Sequence, residues 1–373
     1  MLRSLLLTFI LTFSTTALAQ SLSEFARNAR ALGMGGTYIP FVNGADAVFY
    51  NPAALGKVEG LDIKVVDVGI SLNSISPEDL EAIQNIDPND PNSYNSLFGT
   101  RVWVQATGKT ALALGNFAVG YLNDNEVSLE LHNPAYPQFD TYFRQDTGYY
   151  LGYAFNVAPG TYFGIAAKRI DRWGGVPQEL GLSDVANADS FNEIGDRFDD
   201  KGQGYGIDLA LATTIDLPLL KPTLAVVWQD VGNTAFRKTA GDDAPPHITQ
   251  NLSVGAGVTL DLPGLDLAFG GEARHLLEPD IEMGKKLHLG AEVSLPIVDL
   301  RAGYSQGYLS YGVGVNLFIF HIDAVSYTEE LGAYPGQTAD NRYMVSVGID
   351  LSFDADFKFT DTQGKRRKLK QRR

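Results

Sequence analysis

From Leu61 onward, apolar and polar residues alternate with a period of two. In LHLGAEVSL and its flank, Leu287, Leu289, Ala291, Val293 and Leu295 share one face, with Lys286, His288, Gly290, Glu292 and Ser294 on the other. Val298, Leu300, Ala302 and Tyr304 then alternate with Asp299, Arg301, Gly303 and Ser305, and every odd position from Tyr343 to Phe359 is apolar. Successive side chains of a strand point to opposite faces, so the pattern predicts strands with one apolar face. Strands are expected at 61–72, 100–107, 110–122, 146–157, 161–171, 203–216, 222–231, 249–261, 264–275, 284–295, 297–305, 308–317, 319–328 and 341–359, fourteen in all. EVSLELH (126–132) is assigned to a loop, and the break within LFIFH (317–321) lacks any Gly, Asn or Asp.

The connections alternate in length. Long ones are expected at 73–99, 123–145, 172–202, 232–248, 276–283 and 329–340. Short ones fall at TGKT near 108, VAPG near 158, DLPLLKP near 218, DLPG near 262, Pro296 and the turn near 318; SQGY after Ser305 is short where a long one is due. Short turns at one end, long loops at the other and an even strand number describe a transmembrane β-barrel. Most of the predicted strands also exceed the roughly 5–6 residues usual in soluble sheets. The expected fold is therefore all-β, a transmembrane antiparallel barrel of about fourteen strands, with apolar faces toward lipid and a polar lumen.

Composition agrees. The chain has 39 Gly, 17 Tyr and 20 Phe in 373 residues, yet a mean hydropathy of only −0.07, as expected when half of each strand faces lipid. Residues 1–19, with Arg3, the apolar run Leu5–Phe13 and Ala17-Leu18-Ala19, read as a cleaved export signal. No later stretch approaches the roughly 18 apolar residues of a membrane helix. There is no cysteine, so neither a disulfide framework nor a lipidated N-terminal Cys is expected. The net charge is −15 although seven Lys or Arg crowd the last nine residues, KRRKLKQRR, which leaves an acidic body unsuited to nucleic acid.

Candidate chemistry is sparse. Gly303-Tyr304-Ser305-Gln306-Gly307 matches a nucleophile elbow, but that motif needs a helix after the serine and here another strand follows. Gly33-Met34-Gly35-Gly36 lacks the strand before it and the Gly-Lys-Ser/Thr after it that a phosphate loop requires. Asp87-Pro88-Asn89-Asp90 opens like a calcium loop but has Asn92 and Phe98 where Gly and Glu belong. The loop 172–202 carries Glu179, Asp184, Asp189, Glu193, Asp196, Asp199 and Asp200 and reads as solvated. No catalytic residue, metal ligand or cofactor is assigned. The polar-face residues Asp208, Glu272, Arg274, Lys286, His288, Glu292, Asp299 and Arg301 are the luminal candidates, expected to pair across strands or line a solute path.

Residues 20–60 precede the first strand and are Gly-rich, with Leu32, Met34, Tyr38, Ile39, Phe41, Val48, Phe49 and Tyr50 needing burial. A fourteen-strand lumen is too wide for side chains alone to fill, so this segment is expected to fold into it as a plug. The alternative is an arm that docks a partner. Residues 61–359 would then be the barrel and 360–373 a basic periplasmic tail.

Ala31-Leu32-Gly33-Met34-Gly35-Gly36 followed by Gly44-Ala45-Asp46-Ala47-Val48-Phe49-Tyr50-Asn51-Pro52-Ala53-Ala54-Leu55 resembles the N-terminal signature of the FadL-like outer-membrane superfamily. The resemblance implies a hatch inside a fourteen-strand barrel, with Gly33, Met34, Gly35, Gly36, Asn51, Pro52 and Ala53 as its motif. It implies a protein of the outer membrane of Gram-negative bacteria, surrounded by outer-membrane lipid. It further implies passive transport of hydrophobic or amphipathic molecules such as long-chain fatty acids, with exit through a kinked strand. Tyr327 to Gln337 is similar to the PorV-type and TraF-like branches, which implies instead a secretion or conjugation accessory that binds a protein partner.

Overall fold

The computed structural model describes residues 27–85, 93, 97–132, 138–181, 198–353 and 359–360. The export signal, Asp87–Asp90, most of the acidic 172–202 loop and the basic tail lie outside the described residues.

The strands are β1 (Leu61–Asn73), β2 (Arg101–Leu114), β3 (Phe117–His132), β4 (Gln138–Ala158), β5 (Thr161–Gly174), β6 (Gln178–Gly181), β7 (Lys201–Thr214), β8 (Leu220–Gln229) and β9 (Phe236–Ala240). They continue as β10 (Asn251–Leu262), β11 (Leu265–Ala273), β12 (Leu287–Ser294), β13 (Val298–Ser305), β14 (Tyr308–Leu317), β15 (Phe320–Glu330), β16 (Ala339–Phe353) and β17 (Phe359–Thr360). Among the described residues fourteen of these form the wall. Each pairs antiparallel with its neighbours, and β1 closes the ring by pairing with both β16 and β2. The short β6, β9 and β17 extend the sheet beside β4, β7 and β16.

Alternation sets the two faces as expected. Ile70, Leu72, Leu289, Leu300, Val313 and Val345 are exposed on the outside, while Ser71, His288, Arg301, Ser310 and Ser346 are buried inside. An apolar belt this extensive is the surface of a barrel that sits in lipid. A tilted strand crosses the hydrocarbon in about 9–11 residues. β4, with 21 residues, therefore projects well beyond it. The outward side chains change there from the Tyr121–Tyr149 edge-to-face pair to the polar Asn123, Asn125 and the Arg169–Asp171 ion pair.

Three expectations need correction. The first hairpin does not turn at TGKT: β2 runs through it, with Thr107 and Lys109 inward and Gly108 paired to Val68 and Asn123. The turn is at Gly115-Asn116, where Gly115 has φ 54, so the strand expected at 110–122 straddles it. EVSLELH belongs to β3 rather than a loop, because Glu126 is an inward residue held by Trp103 and Arg144. The connection expected at 123–145 shrinks to 133–137. The last wall strand ends at Phe353 rather than 359, and Phe359–Thr360 pairs back onto its end.

Ser305 closes β13, and Gln306 and Gly307 both have positive φ (54 and 93) before β14 begins. That is a two-residue hairpin turn of the kind that suits twisted strands, and it accounts for the elbow-like motif. The weak break at LFIFH is a turn at Phe318-Ile319, with Phe318 at φ 64.

Candidate functional site: the filled lumen

Residues 27–58 lie against the inner faces of the wall. Helix α1 (Ala29–Gly33) starts at Asn28, whose side chain accepts from the Arg30 and Ala31 backbone N–H groups. It stops at Gly35 and Gly36, both at positive φ (62 and 88). The chain then passes through α2 (Ala47–Tyr50) and a 3-10 turn, Pro52–Lys57. Asn51 links the two halves: its Nδ2 donates to the Ile39 carbonyl at 2.8 Å and its Oδ1 accepts from Ala53 N at 3.2 Å.

The wall makes room with glycine. Gly290 and Gly303 face each other across β12 and β13. A Cβ on Gly303 would overlap the Gly35 backbone, and one on Gly290 would strike Met34. Gly164 on β5 likewise meets Pro52 and Ala53, and Gly257 and Gly270 bracket the Phe41 ring. Close backbone approach of this kind tolerates no larger residue. Around these contacts Met34, Ala47, Val48, Phe49, Ala53 and Leu55 are almost completely buried.

Polar contacts fix the segment's register. The Glu272 carboxylate accepts from Tyr38 N at 2.9 Å and Ile39 N at 3.1 Å, and binds Arg274 at 2.6 Å. Arg274 also donates to the Gly36 carbonyl. His288 Nδ1 lies 2.7 Å from the Gly35 carbonyl, and Ser310 Oγ accepts from Gly35 N at 3.0 Å. Arg30 makes two bonds to Glu292, at 2.6 and 2.8 Å, and Glu292 also accepts from Arg301 Nε at 2.6 Å. Arg301 extends this chain to Asp299 and Asp323.

Of the luminal candidates, Glu272, Arg274, His288 and Glu292 thus touch the inner segment directly. Asp299 and Arg301 buttress Glu292. Asp208 sits elsewhere, bound with Asp230 to Lys168 at 2.8 and 2.9 Å. Lys286 donates to the Glu278 carbonyl at 2.5 Å in the loop before β12.

Sequence reasoning missed a second ionic cluster, Lys64 with Asp46, Asp67 and Asp350, at 3.6, 3.5 and 3.1 Å. Lys64 and Asp67 are three apart and would face opposite ways in a regular strand. A bulge between Lys64 and Val66 turns both inward and leaves Val65 and Val66 adjacent on the outside. The paired exposed valines in KVVD were the available signal. It missed a third as well: the Arg342 guanidinium stacks 3.6 Å from the Trp103 ring centroid and binds Glu329 and Asp340. Glu329 also takes Arg27 at the start of the described chain.

Among the described residues, cavities of about 20, 40 and 100 Å³ lie between the inner segment and the wall. The first lies beside Leu32, Gly35, Gly36 and Tyr327. There the β14–β15 ladder stops at Tyr311 opposite Ser326, while β15 continues to Glu330 against β16.

The chain is a transmembrane β-barrel, and residues 27–58 pack against the inner faces of its wall. No protein-family model matches it, and no curated protein does. Among solved structures it is similar to a deltaS2S3 mutant of the monoaromatic hydrocarbon channel TodX, with a TM-score of 0.51 and 9% identity over 87% of this chain and 98% of that one. The toluene transporter TbuX of Ralstonia pickettii aligns over 88% of this chain and 98% of its own, at TM-score 0.48 and 13% identity. At such identity the first likeness establishes the fold alone.

Proposed function

We propose that this chain is a passive outer-membrane channel for hydrophobic or amphipathic small molecules, with residues 27–58 acting as its plug inside the barrel of residues 61–353. The observation that carries the reading is the inner segment itself. It lies inside a barrel whose fold is that of a mutant hydrocarbon channel, and apart from its continuity with β1 it is held there by packing and polar contacts. Each cavity, at about 20 to 100 Å³, is smaller than the roughly 150 Å³ apolar cavity that admits benzene. None of these three cavities would admit such a solute as it stands, and the reading requires the inner segment to shift for passage. The cavity beside Gly35 is lined by Tyr327 and Thr328, in the part of β15 that runs past the end of the β14–β15 ladder.

The test is co-purification. Protein extracted from outer membrane in mild detergent is analysed by mass spectrometry for bound apolar molecules, against an unrelated barrel. Enriched acyl chains or hydrocarbons are expected. Their absence, together with a stably retained protein on the outer loops, would overturn the channel reading in favour of a secretion or conjugation accessory.

A further inference from the structure

The two sides of the barrel meet the bilayer differently at the long-loop end. On β3 and β5 the outward apolar run gives way to Asn123, Asn125, Arg169 and Asp171 while still within the strands. β12, β13 and β14 instead stay apolar up to their ends, where Leu287, Tyr304 and Leu309 are exposed. β12 and β13 have eight residues each, fewer than the about 9–11 that a tilted strand needs to cross the hydrocarbon. The loops that join these strands therefore lie at the level where lipid meets water.

Two loops occupy that level and brace each other. In the first, 274–286, a helical turn at Met283–Lys286 buries Lys285 and Lys286 and exposes Met283. Residues four apart on such a turn share a face, so Met283 stands over Leu287 and prolongs the outer face of β12. Leu276 and Leu277 are exposed in the same loop. In the second, 331–338, Tyr334 is 65% exposed, and Pro335 beside it packs against Gly284 and Gly307. Lys285 Nζ joins the loops by donating to the Gly332 carbonyl at 2.6 Å.

The polar groups of both loops are turned onto each other. Glu330 accepts from Tyr308 Oη at 2.8 Å and from the backbone N–H groups of Gly332, Gln337 and Thr338 at 2.6, 2.8 and 2.7 Å. Gln337 Oε1 accepts from Ala333 N and Tyr334 N at 2.8 and 3.2 Å, and Leu331 N donates to the Thr338 carbonyl at 2.9 Å. Glu282 accepts from Gly284 N at 2.6 Å, and Glu278 lies 2.6 Å from His275 Nδ1. Backbone groups satisfied within the protein, beside exposed apolar side chains, are what a lipid boundary demands, because water is scarce there to complete the missing bonds. Asp280 remains exposed, which suits the head-group level rather than the hydrocarbon.

We propose that loops 274–286 and 331–338 form a lipid-contacting shelf, in which Leu277, Met283 and Tyr334 enter the head-group boundary of the bilayer and complete the apolar belt above β12 to β14. The patch is continuous with that belt through Leu287, and lipid already covers the belt. An aromatic ring with a hydroxyl, as on Tyr334, is at home at this boundary. The proposal does not depend on which solute crosses the barrel.

The chain has no cysteine, so single cysteines report their surroundings without background. Met283→Cys and Tyr334→Cys in the full-length protein are labelled with bimane and reconstituted in phosphatidylcholine vesicles, with folding checked by heat-modifiable migration. Leu277→Cys replaces either one that does not fold. Leu289→Cys, in the belt, and Val127→Cys, exposed beyond Asn123 and Asn125, serve as references. The loop probes should be quenched, like Leu289, by phosphatidylcholine carrying a nitroxide near its head group. They should also be at least roughly threefold less accessible to iodide than the Val127 probe, as side chains about 5–10 Å into the boundary are. Iodide access equal to that at Val127 would overturn the proposal. So would shielding from iodide without nitroxide quenching, which would place a second copy of the chain, rather than lipid, over the loops.

Discussion

Arg30 and Glu292 form a two-pronged ion pair, at 2.6 and 2.8 Å, between the inner helix α1 and wall strand β12. Sequence places the two residues 262 positions apart, and the wall partner is almost completely buried. Glu292 also binds Arg301, so the inner segment is wired into the wall's own charge network rather than merely packed against it.

Breaking that pair from one side should loosen the inner segment. Arg30→Ala leaves Glu292 with Arg301 and is expected to be mild. Glu292→Gln leaves Arg30 without its carboxylate while Arg301 keeps Asp299 and Asp323, and should cost more than Arg30→Ala, up to about 3 kcal/mol, the low end for breaking a buried pair. Heat-modifiable migration in detergent measures the stability difference, and single-channel recording measures the leak. Equal effects from the two variants would contradict this account.

The glycine contacts make a sharper test of where the segment lies. Gly303→Val and Gly164→Val should expel it, because both positions touch its backbone, while the barrel still assembles. Gly108→Val meets open space on the outer face and should change nothing. Protease sensitivity of residues 27–58 in the assembled barrel is the readout; a protected segment in Gly303→Val would refute the packing described.

Lys57, at the end of the inner segment, has its pKa lowered to about 8 by burial, which disfavours the ammonium form. Acylation by an amine-selective reagent should therefore reach half its maximal rate near pH 8, against roughly 10.4 for an unperturbed lysine. Because the folded pKa is the lower one, the burial penalty is present in full below pH 8 and fades as pH rises toward the unfolded value. Half-maximal labelling near pH 10 would mean that Lys57 is not held in this environment.

The turn after Ser305 separates structure from chemistry. Ser305→Ala should leave assembly unaltered and remove no lipid-hydrolysing activity. Gly307→Val forces a β-branched residue to φ 93, at a cost of about 1–3 kcal/mol, and should lower the yield of folded barrel. Loss of hydrolysis in Ser305→Ala would require a catalytic role for that serine.

Period-two alternation by itself determined the barrel: which face of β12 to β16 meets lipid and the even strand number, which puts the start of β1 and the end of β16 at the same end. It did so because lipid on one side and a polar lumen on the other impose opposite demands on neighbouring residues. The need to bury Met34, Phe49 and their neighbours likewise directed residues 27–58 inward. Strand ends were less legible. TGKT has turn residues but lies mid-strand, because β1 and β3 both pair across it, and pairing outweighs a local preference. The ionic partners were decided by tertiary structure alone. Registers across the sheet choose which carboxylate each cation meets, and one bulged residue at Val65 reverses the parity that would have kept Lys64 and Asp67 apart. Such contacts join residues hundreds of positions apart, and no local pattern in the chain encodes them.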